Sequence, residues 1–200
     1  MFGLVYTPSR VRVDMATAKT GSFYLTETVT LPAATINGAR VTGTIDLGAY
    51  VNVATGQAIA IDSVDFIYQL SDDFGGGTLS SMVQADACLT QQLTDLNPGA
   101  RFVRADNQSL IASGSLNIDF TNNLGTHNSD LYPDNYGTAG SLSEMFMVVN
   151  DTLYLTAGVD GNATSAGADL FITARIRARV VKLGSKDWMA LALQSTASDN

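Results

Sequence analysis

The residues best suited to chemistry sit in one stretch, "GTHNSDLYPDNYG", where the sole histidine, His127, is followed by Ser129 and Asp130. A base beside a hydroxyl nucleophile is the start of acyl-transfer chemistry, yet such triads are assembled in space and not by closeness along the chain. No Gly-x-Ser-x-Gly elbow accompanies these residues, so His127 reads as an exposed loop histidine. Carboxylate couples are plentiful: Asp62 with Asp65, Asp72 with Asp73, Asp130 with Asp134. Sugar hydrolysis needs two carboxyls facing one cleft at a set separation, and Glu27 and Glu144 alone add longer acidic arms. No catalytic residue is assigned, and an enzyme is not expected.

Metal and cofactor chemistry find little material. One cysteine, Cys88, and one histidine cannot build a Cys/His zinc site or an internal disulfide. Cys88 reads as a small buried apolar residue. In "VDGNATSAGAD", Asp160, Asn162 and Asp169 offer oxygen ligands that a hard cation such as calcium accepts, but Asp and Asn beside Gly are ordinary turn formers and the spacing matches no EF-hand. The glycine run of "SDDFGGGT" lacks the Lys-Ser/Thr of a phosphate cradle. No metal and no cofactor is expected.

Two features are left as recognition chemistry. Tyr132 and Tyr136 lie in the long loop at 121–141, where they would either stack on a sugar or pack beneath the loop. "ADLFITARIRARVV" places Arg175, Arg177 and Arg179 at alternate positions, and Arg10 and Arg12 repeat the arrangement near the amino end. Five of eleven basic residues thus fall on two terminal segments of a chain with net charge −8. In an extended segment the three arginines share one face, and Ile172, Ala174, Ile176, Ala178 and Val180 take the other. Two readings stand side by side: the arginines bridge acids on neighbouring strands, or they form a basic stripe for phosphate or for an acidic patch of another subunit.

The elements that must position these residues are strands. Eighteen glycines in a chain of 200 residues, 46% hydrophobic and 15% charged, favour strands joined by turns over helices with charged faces. The length fits one domain over residues 1–200. "VTGTIDLGAYVNV" (41–53) alternates apolar and polar throughout, with Gly48 the place for a bend. "FYLTETVTL" (23–31) and "GSLNIDF" (114–120) do the same. In "AIAIDSVDFIYQL" the apolar set changes parity between Ile61 and Val64, the mark of a β-bulge at Asp62 and Ser63. Weaker strands are "LVYTPSRVRVDM" near the start, "RFVRA", "MFMVVN", "TLYLTAG" and 169–183. One short helix is expected between 86 and 96, and a second after Ser185, read as its N-cap. The fold class is all-β: an antiparallel two-sheet sandwich of about eight to ten strands in jelly-roll topology, with one or two short helices.

The start "MFGLVYTPSR" lacks the basic residues and long apolar run of a secretory signal, so the chain reads as soluble and made inside a cell. Its acidity argues against a surface that clings everywhere to nucleic acid or an anionic membrane.

Well-formed first and last strands, long inter-strand loops and the lack of an enzymatic signature resemble the single jelly-roll capsid proteins of icosahedral viruses. The resemblance implies a structural subunit of the virion, made in the host cytoplasm, that self-assembles through its sheet faces and loops with copies of itself and with other capsid proteins. It also implies that the first and last long strands lie side by side and gather Arg10, Arg12, Arg175, Arg177 and Arg179. "MFGLVYTPSRVRV" departs from the basic arm of capsid proteins that package genome directly. The chain resembles more the acidic shells that enclose an internal membrane or leave genome contact to other proteins, so direct nucleic-acid contact is not favoured. The alternative is a β-sandwich binding module: carbohydrate-binding, receptor-binding or a phage decoration protein.

Overall fold

The computed structural model describes residues 16–74, 79–128 and 145–197. Eleven strands are described: β1 (Thr17–Ala18), β2 (Phe23–Leu31), β3 (Arg40–Asp46), β4 (Gln57–Leu70), β5 (Asp73–Phe74), β6 (Ala87–Thr94), β7 (Leu110–Asp119), β8 (Leu124–Asn128), β9 (Phe146–Val148), β10 (Thr152–Asp160) and β11 (Leu170–Lys182). A 3₁₀ turn (Leu79–Met82) precedes β6, and one α-helix, α1 (Ser185–Ala197), follows β11.

Every strand pairing among the described residues is antiparallel. β2 pairs with β11, β3 with β10, β4 with β9, and β6 with β7. First meets last and the partners close inward, as in a single long ribbon folded back on itself. The ribbon then rolls, so that successive pairs alternate between two sheets. Sheet A carries β2, β11, β4 and β9 in that order, with β1 beside β11 and β5 beside β4. Sheet B carries β3, β10, β6, β7 and β8. Two Greek keys wrapped in this way make a jelly roll.

Period-two patterning explains which side chains fill the interior. From β11, Ile172, Ala174, Ile176, Ala178 and Val180 all enter the core, as their alternation requires. From sheet B, Leu89 and Leu93 of β6 and Leu153, Leu155, Ala157 and Val159 of β10 meet them. A second, smaller cluster lies outside sheet A, where Trp188, Leu191 and Ala192 of α1 cover Ala58, Ala60 and Val181. Their spacing of three and four residues is one helix face. Short side chains on β4 make room for the helix there.

Several sequence expectations need correction. Residues 87–94 are strand, not helix: Leu89 and Leu93 point inward, as does Gln91, whose side chain takes a hydrogen bond from the Tyr68 hydroxyl at 2.6 Å. Cys88, at an even position of β6, is half-buried on the outer face, 3.4 Å from Thr90 Oγ1. "RFVRA" is irregular, because Val103 pairs its N–H and C=O with the Gln92 side chain at 2.8 and 2.9 Å. The strand read through 41–53 stops at Asp46. Its carboxylate accepts the Gly48 N–H at 2.8 Å and starts a turn. His127 is not in a loop but in β8, paired with Leu116. Gly184, rather than Ser185, supplies the first helical carbonyl, which accepts the Trp188 N–H at 2.9 Å.

The bulge falls where the sequence places it. Ser63 opposes Arg177 and Ile61 opposes Ala178, so Asp62 is the extra residue on β4. The strand expected near the start, with Arg10 and Arg12, lies outside the described residues, as do Tyr132 and Tyr136.

Candidate functional site

The outer face of sheet A is built from β11 and its two neighbours. Arg175, Arg177 and Arg179 project from β11. β2 contributes Tyr24, Thr26 and Thr28 on one side, and β4 contributes Asp65 and Ser63 on the other. In a regular strand Asp62 and Ser63 would face opposite ways. The bulge turns both polar residues away from the core and lets Ile61 and Val64 stay fully buried in it.

Asp62 is only 3% exposed and accepts hydrogen bonds from Arg179 and Ser22 while forming an ion pair with Arg177. Arg179 Nη2 reaches its two carboxylate oxygens at 3.1 and 2.9 Å, Arg177 Nε stands 3.4 Å from Oδ2, and the Ser22 hydroxyl donates to Oδ2 at 3.0 Å. Two guanidiniums on one carboxylate leave an excess positive charge at the surface. Arg175 is used differently: it is exposed, with its guanidinium carbon 4.3 Å from the centre of the Tyr24 ring. Such a cation–π contact holds the side chain flat while leaving its donors in water.

Thus the structure brings Arg177 and Arg179 to one acid and leaves Arg175 apart. The sequence coupling of Asp62 with Asp65 as a carboxylate pair is replaced by an Asp62–arginine network. The bridging reading holds for Arg177 and Arg179. The residues of the calcium alternative act within the fold: Asp160 takes Arg40, Asn162 Oδ1 accepts the Ala163 N–H, and Asp169 Oδ1 accepts the Ala33 N–H.

Sheet B has a different outer face. Residues 95–109 fold over part of it, and Arg40 fastens that region. Both Arg40 Nη2 bonds to Asp160 are 2.7 Å, Nη1 reaches the Ala39 and Val159 carbonyls, and the guanidinium lies 4.3 Å above the Phe102 ring. Gly158, opposite Arg40 in the β3·β10 ladder, permits this. A Cβ there would meet the Ala39 carbonyl oxygen at 2.6 Å and the Arg40 side chain itself. Sequence reasoning missed this clamp; the one signal is a glycine in the middle of an otherwise strong strand.

Beyond the covered part, the face carries Thr90, Ser115, Asn117 and Thr126, all uncharged. It ends in an open depression of about 530 Å³ at the β7–β8 hairpin. Cys88 and Leu124 give its apolar side chains, Ala87 and Ile118 border it while facing the core, and Asp86, Asp119 and Asp160 stand around them. The Asn122 side-chain amide, helped by the Asn122 backbone N–H, holds the Asp119 carboxyl below its usual range. The described residues hold no group of three or more His, Cys, Asp or Glu arranged to bind a metal.

No protein-family model matches the chain, and no curated protein matches it. Among solved structures it is similar to an unassembled VP1 pentamer of Washington University polyomavirus, at 11% identity and a TM-score of 0.41 over 86% of this chain and 98% of that one. Merkel cell polyomavirus VP1 in complex with disialyllactose matches at 8% identity and 0.40, over 86% and 100%. VP1 of the trichodysplasia spinulosa-associated polyomavirus, in complex with 3'-sialyllactose, matches at 8% and 0.38, over 83% and 98%. The fold rests on the strand pairings themselves.

Proposed function

We propose that this chain is a structural protein, a viral capsid subunit that self-assembles into an icosahedral shell through its sheet faces and loops. The observation that carries the reading is the pair of outer sheet faces, which are made for contact and offer no chemistry. On sheet B the exposed rows are mostly hydroxyls and amides, with Asp46 and Asp119 at their ends, as in Thr42, whose hydroxyl pairs with that of Thr156 across the ladder at 3.0 Å. On sheet A the arginine row is held by Asp62 and Tyr24, so it presents fixed guanidiniums instead of mobile arms. Flat polar faces on a rigid double-layered body suit repeated packing against copies, at on the order of 1,000 Å² or more per contact, closed by symmetry.

The partners in this reading are copies of the chain, with or without a second capsid protein, and the site of action is the virion. The protein acts without enzymatic activity. Genome contact is not favoured, because Arg177 and Arg179 serve Asp62. Arg175, with Arg10 and Arg12, is assigned to subunit contact, and Tyr132 and Tyr136 to surface recognition. Fold by itself does not fix function, so the test must see assembly directly. Negative-stain electron microscopy of the purified protein at rising concentration is expected to show closed particles of uniform diameter. Fields without particles at any concentration or salt would overturn the reading.

A further inference from the structure

α1 carries two apolar faces. Trp188, Leu191 and Ala192 cover sheet A, but Met189 and Leu193, one turn apart on the other side, are 63% and 66% exposed. Lys186, also exposed, continues the same stripe toward the helix start. Isolated apolar side chains at a surface need no explanation. Two in line, on a helix that already has its core contacts, form a ridge about 6 Å long.

The complementary shape is on the same chain at its far end. α1 follows the carboxyl end of β11, outside sheet A. The depression bounded by Cys88 and Leu124 lies outside sheet B at the carboxyl end of β10, which leads into the opposite end of β11. Leu124 is itself 60% exposed. From Leu124 on β8 to Cys88 on β6 spans two inter-strand spacings, roughly 10 Å, room for two side chains one helical turn apart. Charges match as well: Lys186 heads the ridge, and Asp86 and Asp119 stand at the rim of the depression. Asp119 keeps its negative charge because Asn122 donates to both of its oxygens.

We infer that the Met189–Leu193 ridge of α1 docks in the Cys88–Leu124 depression of a second copy of this chain. The two patches occupy opposite faces and opposite ends, so a molecule cannot satisfy its own. Because the patches differ, the contact is head-to-tail, and each copy can give one and receive one, the arrangement that builds rings or extended arrays. The inference rests on the self-assembly reading and names one contact within it.

The test uses two full-length variants whose changes are on exposed residues: Met189→Asp with Leu193→Asp, which spoils the ridge, and Leu124→Asp, which spoils the depression. Far-ultraviolet dichroism establishes that each is folded as wild type. In sedimentation velocity, each variant alone is expected to associate at least about tenfold more weakly than wild type. Mixed, they are expected to form a one-to-one dimer, because each supplies the patch the other lacks. Variants that associate as wild type does, or a mixture that sediments as the sum of its parts, would overturn this contact while wild-type assembly stands. Wild-type protein that never associates would remove the assembly reading and this contact together.

Discussion

Arg179 Nη2 holds both carboxylate oxygens of Asp62, and Asp62 is the extra residue of a β-bulge. Pairing and backbone irregularity therefore have one cause: without the bulge, either Asp62 or Ser63 would point into a core of Ile and Val. Removing the acid leaves Arg177 and Arg179 side by side with no counter-charge. Asp62→Ala is expected to destabilise the fold by about 3 kcal/mol, at the lower end for a buried pair because Arg177 is partly in water. Arg175→Ala, which loses only a surface ring contact, is expected to cost less than about 1 kcal/mol. Urea denaturation of the two variants beside wild type checks the contrast, and equal losses would contradict it.

Gly158 offers a second test. Adding a methyl group there must displace Arg40 from Asp160 and from the Phe102 ring. Gly158→Ala is expected to lose about 1–3 kcal/mol, an overpacking cost, with protection lost first in the segment 95–109 that Arg40 fastens. Amide hydrogen exchange followed residue by residue reads this pattern.

Glu27 faces inward from β2 toward Gly43 of the opposite sheet, where a Cβ would stand 2.8 Å from Val29 Cγ1. Partial burial raises its carboxyl above the usual value of 4.5. The folded chain therefore holds this proton to higher pH than the unfolded chain does. The resulting stability is full below the unfolded value and is lost as pH rises through the folded one. Glu27→Gln, neutral at every pH, is expected to melt higher than wild type at pH 7, with the difference shrinking as pH falls toward 4. Thermal melts across that range check the sign; a gap that widens on acidification would refute it.

Much of this architecture is legible in the sequence wherever one face of a strand is buried. The alternation of Arg175, Arg177 and Arg179 with Ile172, Ala174, Ile176 and Ala178 reads directly, and so does the parity change at Asp62, because each depends on neighbours along the chain. The helix expected over 86–96 fails for a physical reason. Leu89 and Leu93 fit helical and strand spacing alike, and the deciding residue, Gln91, looks polar but is held inside by Tyr68 from the other sheet. "RFVRA" fails in the same way, since a side chain, Gln92, takes the place of a partner strand. The Arg40–Asp160 clamp joins residues 120 positions apart and needs the β3·β10 register to be seen.

Central to the account is that copies of this chain bind one another. Sedimentation velocity of the purified 21.1 kDa protein over a hundredfold range of concentration tests this most directly. The account predicts a shift of mass from the single chain to defined multiples and closed particles as concentration rises. A single species at 21.1 kDa across the whole range would contradict it.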